Sequence, residues 1–193
     1  MTIHNRYQAQ AEAFVKEDAA MQEALKLVRE LKLPEGCIAA GFVRNYIWNR
    51  LHGRDGHGLI NDTDVVYFDP VRVEEDRDHE YESILMEQNP YWKWSVKNQA
   101  RMHLRNGAEP YQSVEDALSR WVETATAVGV RLNDHNELEW VIPWGLQDLM
   151  ELKIRKSPKF HDEAYYYARV NAKQWLNRWP KLVMVEASHE HRA

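Results

Sequence analysis

The distribution of apolar residues divides this 193-residue chain into alternating helical and extended segments. Through the first thirty-odd residues, apolar positions recur at helical spacing until Pro34 interrupts the pattern. The apolar stretch 37–40 is too short for a helix and predicts a buried strand. Gly41 then begins a second helical pattern, which ends at residues 52–53.

The middle of the chain predicts two more strands and a polar helix. Residues 62–68 begin with two aspartates and continue with β-branched and aromatic residues, which predicts a strand that Pro70 ends. The acidic stretch 73–88 predicts a solvated helix, and a strand is predicted over 91–96, leading into a short helix. A loop rich in Gly, Asp and His is predicted over 53–61, before the first of these strands.

The last part of the chain predicts a helix, a β-hairpin and further helices. A helix start is predicted at Ser113, because its side chain can cap a helix and an acidic side chain follows three residues later. The predicted elements are a helix over 113–121, strands over 124–132 and 138–142, helices after 143 and over 161–179, and a frayed polar end over 188–193. Interleaved helices and strands with a hairpin indicate an α+β fold, a small mixed sheet flanked by helices. A single domain over 1–193, with N-terminal helices and a C-terminal helical segment, suits this length.

Composition and charge exclude several classes of function. Twenty-five basic and thirty acidic residues give a net charge of −5, which argues against broad phosphate-driven binding of DNA or RNA. The lone cysteine, Cys37, excludes an intrachain disulfide and a cysteine-only zinc site. We find neither a signal-peptide pattern nor eighteen consecutive apolar residues, so we predict a cytoplasmic protein with no membrane partner.

The first candidate for chemistry is the pair Asp62 and Asp64. In a strand, residues two apart point to the same face, with Cα atoms roughly 6.6 Å apart, so both carboxylates would face one point. Their mutual repulsion would be reversed by a divalent cation, and hard oxygen ligands suit Mg²⁺ or Mn²⁺. An Asp-x-Asp alone is equally typical of a polar strand entrance. The apolar continuation 65–68 indicates instead a core strand with the acids at its start.

The second candidate is the turn at Gly41. At a strand-to-helix turn, the backbone N–H groups that follow a glycine and the positive helix end can face a phosphate. A simple tight turn is the alternative interpretation. The two candidates lie about twenty positions apart, and their combination is more informative than either alone.

Together these segments resemble the core motif of DNA polymerase β-type nucleotidyltransferases, in which a glycine-led helix precedes a D-x-D strand. GFVRN is similar to the branch of CCA-adding enzymes and poly(A) polymerases. A family of small bacterial nucleotidyltransferase-like proteins is closer still. The strings that carry this resemblance, within residues 33–179, are GFVRNYIWNRLHG, DTDVVYFD, VKNQARMH and ETATAVGVRL. The resemblance implies the polymerase β-type nucleotidyltransferase fold.

The resemblance also implies roles for particular residues. Gly41 would let the backbone approach a triphosphate, and Asp62 and Asp64 would be the catalytic ligands of the metal ions. Arg44 would either reach phosphate or brace the sheet through a carboxylate. Further residues that would either border the nucleotide pocket or have surface and helix-capping roles are Lys97, Asn98 and Arg101.

A departure from the family pattern concerns the third carboxylate that active members commonly supply from a neighbouring strand. Ser95 stands where that acid is expected. Either another residue completes the metal site, with Glu123 the nearest candidate, or the site binds one metal ion weakly, or catalysis is impaired. The resemblance implies a metal-dependent enzyme that moves an NMP from an NTP to a hydroxyl acceptor on an RNA end, a protein or a small molecule. The alternative is a catalytically impaired nucleotide-binding or partner-binding homologue, in a defence or toxin–antitoxin setting.

Overall fold

A computed structural model of the protein describes residues 2–56 and 62–185. Its helices there are α1 (Ile3–Glu17), α2 (Ala19–Glu30), α3 (Gly41–Leu51), α4 (Glu75–Gln88), α5 (Gln99–Asn106), α6 (Val114–Ser119), α7 (Gln147–Met150), α8 (Glu163–Lys173) and α9 (Trp175–Arg178). Its strands there are β1 (Cys37–Ala39), β2 (Thr63–Tyr67), β3 (Trp94–Asn98), β4 (Gly129–Leu132), β5 (Leu138–Val141), β6 (Lys153–Arg155) and β7 (Val183–Val185). The predicted loop residues 57–61 and the predicted polar end 188–193 lie outside the described residues. None of the described helices has the length and apolar character needed to cross a membrane.

Five strands form one sheet in the order β3-β2-β1-β4-β5. The β2–β3 pair is parallel, whereas the pairs β1–β2, β1–β4 and β4–β5 are antiparallel. The sheet is therefore mixed, and the predicted α+β fold with helices around a small mixed sheet is confirmed. The predicted hairpin is the β4–β5 pair. A second, parallel pair of strands, β6 and β7, was not predicted.

The two faces of the five-stranded sheet bury different sets of side chains. Ile38, Val65 and Val96 belong to the larger core, which also includes side chains of α1 to α4 and of α7 to α9. Cys37 and Val66 belong to a smaller apolar cluster that α6 covers. Because side chains alternate along a strand, this register fixes which face each functional residue in β2 can reach.

Several element boundaries differ from the sequence prediction. The first thirty residues form two helices, because Asp18 adopts an extended backbone and its carboxylate caps α2 by accepting from the Met21 N–H at 2.8 Å. The segment 161–179 is also two helices, interrupted at Gln174, where φ is 53°. Strand β3 begins three residues later than predicted and ends at Asn98.

A buried carboxylate fastens α4 and α5 to the sheet. Asp78 is fully buried and accepts hydrogen bonds from the Tyr67 hydroxyl at 2.8 Å, from the Asn98 N–H at 3.3 Å and from the Arg101 guanidinium. Burial, together with the hydrogen bond to Asp78, raises the pKa of Tyr67 above its usual range. The carboxylate thus satisfies donors from a strand, a strand end and a helix.

We expect Asp78→Ala to lower the free energy of unfolding by about 3–5 kcal/mol, because it removes the buried acceptor shared by Tyr67, Asn98 and Arg101. Urea unfolding of both proteins measures the difference. Glu80→Ala, on the exposed side of the same helix, is the matched control and should change stability by less than about 0.5 kcal/mol. Equal losses in the two variants would contradict the assignment.

Candidate active site

The carboxylate pair lies at one end of the sheet. Asp64 is the second residue of β2 and stands in register with Ala39 of β1 and Ser95 of β3. Asp62 immediately precedes β2, is half exposed, and pairs with Lys93 at 2.7 Å between Oδ1 and Nζ. Because β1 is antiparallel to β2 and β3 is parallel to it, the end of β1 and the starts of β2 and β3 share one edge.

Asp64 is held where its negative charge is disfavoured. Burial raises the pKa of Asp64, and the neighbouring charge of Asp62 raises it further. Arg44, Lys173 and Arg169 act in the opposite direction and favour the charged form. A partly buried carboxylate is therefore surrounded by one like charge and three opposite charges.

In the turn between β1 and α3, beside Asp64, the strained backbone conformation is at Ala40. Ala40 has φ 53° and ψ −126°, a conformation that glycine adopts far more readily than alanine. Hydrogen bonds hold it there, from its N–H to the Val128 carbonyl at 3.0 Å and from the Arg44 N–H to its own carbonyl at 2.9 Å. Gly41 is helical, and a Cβ there would be 3.5 Å from Asn45 Nδ2, an ordinary contact. Ala40 thus fixes the direction in which α3 begins.

Arg44 is buried directly behind this turn. Its Nε and Nη2 donate to Asn45 Oδ1 at 3.1 and 2.8 Å, and its Nη1 donates to Thr126 Oγ1 at 2.7 Å. The guanidinium lies over the rings of Trp48 and Trp175, 5.0 and 4.4 Å from their centroids. Burial lowers the pKa of Arg44 to about 10, so it stays charged at neutral pH.

Glu123 is fully engaged with neighbours other than Asp62 and Asp64. Its Oε2 accepts from the Thr126 hydroxyl at 2.8 Å, and its Oε1 accepts from Arg169 Nε at 2.8 Å. Within residues 2–56 and 62–185, no three His, Cys, Asp or Glu side chains are grouped as a metal site would need. Ser95 lies beside Asp64 on β3, so the described part of the site contains two carboxylates and a serine.

Three of the predicted nucleotide-binding residues lie in a different network. Lys97 pairs with Glu82 of α4 at 3.3 Å, whereas Asn98 and Arg101 contact Asp78. Asn98 is also three residues beyond Ser95, roughly 10 Å along the strand. The structure therefore brings together Asp62, Asp64, Gly41 and Arg44, and sets Lys97, Asn98 and Arg101 apart from them.

Sequence reasoning missed the contribution of α8. Arg169 and Lys173 act electrostatically on Asp64, although they follow it by more than a hundred residues. The available signal was two basic residues at helical spacing in the segment 161–179. That pattern is common on solvated helices, so only the fold connects it with the carboxylates.

The carboxylate pair suits a hard divalent cation. Mg²⁺ is commonly held by one or two carboxylates, with waters and substrate phosphates completing its shell. Asp62 and Asp64 provide two such ligands, and the effect of Asp62 on the pKa of Asp64 indicates a repulsion that a cation would relieve. The donor set therefore fits Mg²⁺ or Mn²⁺ without a third acid.

A glycine-opened helix beside a D-x-D strand in a mixed sheet defines the class of nucleotidyltransferases. A family model described as Nucleotidyltransferase matches residues 26–184, and the chain belongs to this family. The expected kinship with the CCA-adding branch is confirmed, and nucleotidyl transfer is the reaction class that membership supports. A search of curated proteins found no match.

Solved structures agree with this assignment. A structure described as revealing a CCA-adding enzyme head domain is 32% identical, with a TM-score of 0.83, over 93% of this chain and 96% of the other. A CCA-adding enzyme with CTP is 16% identical, with a TM-score of 0.55, over 90% of this chain and 43% of the other. The Thermotoga maritima CCA-adding enzyme with tRNA is 17% identical, with a TM-score of 0.52, over 86% and 38%. The last two show the fold alone, and this chain spans about two fifths of their length.

We expect Asp64→Asn to stabilise the fold at neutral pH. The folded-state pKa of Asp64 is raised, so the folded protein binds more protons than the unfolded chain between the ordinary aspartate pKa and the raised value. Stability contributed by this group is therefore present at low pH and is lost as pH rises through that window. Urea unfolding across a pH series should show Asp64→Asn above wild type at pH 7, and the two converging near pH ~3.5. Asp76→Asn, on exposed α4, is the control, and an equal gain there would contradict the explanation.

Proposed function

We propose that this protein is a Mg²⁺-dependent nucleotidyltransferase that moves an NMP from an NTP to a hydroxyl acceptor. The observation that carries the proposal is the pair Asp62 and Asp64 at the start of β2, beside the turn into α3. Mn²⁺ is the alternative cation. Similar structures hold CTP and ATP, which supports an NTP as the donor.

In this proposal the carboxylates bind the metal ion, and the turn into α3 binds phosphate. Asp62 and Asp64 would hold the metal ion, which would lower the pKa of an attacking hydroxyl and neutralise charge on the triphosphate. To bind it, Asp62 releases Lys93, an exposed ion pair that is cheap to break. Ala40 makes no side-chain cap at the start of α3, so the backbone N–H of Gly41 can face a phosphate.

Arg44 acts as a fixed positive charge behind the turn. Three of its donors are used within the protein, and two tryptophan rings hold the guanidinium. Such a charge needs no reorganisation when substrate binds, and it favours the anionic form of Asp64. In this proposal Arg44 braces the structure through Thr126 and supplies charge to the site from behind the turn.

The acceptor is a hydroxyl on an RNA end, a protein or a small molecule. One similar enzyme is bound to tRNA, but that enzyme is more than twice as long as the part this chain matches. The net charge of −5 argues against a broad nucleic-acid surface, so an RNA acceptor would be held by local contacts at its end.

We expect Asp62→Ala and Asp64→Ala to reduce NMP transfer to below about one-thousandth of the wild-type rate, since each removes a ligand of the catalytic cation. The assay incubates the protein with each α-labelled NTP, Mg²⁺ or Mn²⁺, and total cell RNA and protein. Asp76→Ala is the matched control, and circular dichroism checks that each variant is folded. Transfer by Asp64→Ala at the wild-type rate would eliminate the proposal.

A second candidate function is nucleotide binding without turnover. Ser95, where the family commonly supplies an acid, is the observation that favours it, because the site then has one carboxylate fewer. Calorimetry with an NTP panel and Mg²⁺ distinguishes the two. Binding of an NTP with no labelled product under any acceptor would favour this second function, which includes partner-binding roles in defence or toxin–antitoxin settings.

A further inference from the structure

Two cations of α8 lie close enough to Asp64 to act on its charge. Arg169 and Lys173 are four residues apart and therefore share one face of the helix. Lys173 is exposed, and among the described residues no salt bridge or hydrogen bond engages it. Both residues lie far outside the glycine-helix and D-x-D segments that identify the family. Their positive charge has no assigned use in the proposed function.

Arg169 is anchored at one nitrogen and open at the others. Its Nε donates to Glu123 at 2.8 Å, and its guanidinium lies 5.8 Å from the centroid of the Trp175 ring. Its side chain is 26% exposed. An arginine carries five N–H donors, and in the described part of the chain only the one at Nε has a protein partner. The remaining face is therefore available for an oxyanion.

Glu123 joins Arg169 to the arginine behind the turn. Its second oxygen accepts from Thr126, whose hydroxyl oxygen in turn accepts from Arg44. The ring of Trp175 lies beneath both guanidinium groups, at 4.4 and 5.8 Å. The spacing of the two arginines is thus fixed by one carboxylate, one hydroxyl and one ring, all buried.

The charges of this cluster favour an anion. Arg44, Arg169 and Lys173 supply three positive charges, which balance one negative charge each on Glu123, Asp62 and Asp64. A divalent cation on the two aspartates would make the balance positive. A cluster with open guanidinium and ammonium donors beside a cation-binding carboxylate matches the chemistry of a metal-bound polyphosphate.

We propose that Arg169 and Lys173 bind phosphate oxygens of the NTP, and that Glu123 is the positioning residue that orients Arg169. This inference rests on the proposed function and adds α8 to its nucleotide site. The ligand class is a nucleoside triphosphate, recognised here through its phosphates and not through its base. Glu123 is then required for the site without binding the metal ion.

The chain contains a matched control for this arrangement. Asp148 accepts from Arg155 Nε at 2.9 Å and from the Thr124 hydroxyl at 2.8 Å, the same combination of arginine, carboxylate and threonine. In the described part of the chain, neither Asp148 nor Arg155 forms a side-chain hydrogen bond with Glu123, Arg169 or Lys173. Substitutions in this second cluster remove the same kinds of group without altering those three residues.

The test is calorimetric titration with CTP, ATP and inorganic triphosphate in Mg²⁺. We expect Arg169→Gln to raise Kd by about 10- to 100-fold, the usual range for losing a charge-assisted hydrogen bond. Lys173→Gln should raise Kd several-fold, and Arg155→Gln should not change it. Binding of all three ligands should weaken in parallel, since the phosphates alone are contacted.

The role of Glu123 is tested with the conservative variant Glu123→Gln, which keeps an acceptor but removes the charge. We expect KM for the NTP to rise while kcat changes little, with a larger effect in Glu123→Ala. Asp148→Asn should leave both constants unchanged. A fall in kcat at constant KM would instead identify Glu123 with the reacting centre and overturn the positioning role.

The outcomes separate this inference from the proposed function. Labelled transfer with unchanged Kd in Arg169→Gln and Lys173→Gln would refute the α8 contribution and leave the transferase proposal standing. Weakened triphosphate binding without transfer by wild type would support the α8 site and refute catalysis. Equal weakening in Arg155→Gln would also refute the inference. Lys173 is exposed, so Lys173→Gln remains a valid test even if Arg169→Gln fails to fold.

Discussion

The site depends on keeping a negative charge on Asp64 at a position where burial and Asp62 both oppose it. This charge destabilises the folded protein, because strand β2 begins with acidic residues while the rest of the strand is apolar and buried. Opposite charges from α3 and α8 reduce this destabilisation, and a divalent cation would remove most of it. The same desolvation that destabilises the charged carboxylate makes it a stronger ligand for a metal ion.

The cations reach Asp64 only because distant parts of the chain meet at Glu123. That residue lies just before β4, and its two oxygens fix Arg169 directly and Arg44 through Thr126. A buried carboxylate between two arginines would be costly alone, but here its hydrogen bonds are satisfied. The position of α8 is therefore coupled through Glu123 to the geometry of the α3 turn.

The sequence was informative where the site is local and less so where it depends on tertiary contacts. The turn and the D-x-D strand lie within about 25 residues, and their pattern and resemblance predicted the fold. The same resemblance assigned Lys97, Asn98 and Arg101 to the nucleotide pocket. Strand β3 starts later than its aromatic residues indicated, and Asn98 became a helix cap beside buried Asp78. The helical spacing of Arg169 and Lys173 did not connect them with the carboxylates, because the break at Gln174 and the packing of Trp175 orient their helix.

Ser95 gives this edge of the sheet a different charge balance from a site with three acids. With two carboxylates, one cation suffices to neutralise the pair, and further positive charge is available to a substrate. Arg44, Arg169 and Lys173 supply that charge from the protein itself, as fixed or anchored groups. A site of this composition is suited to holding a polyphosphate through one metal ion and several protein cations. A serine in place of the third acid and the basic residues of α8 therefore shift the charge at this edge in the same direction.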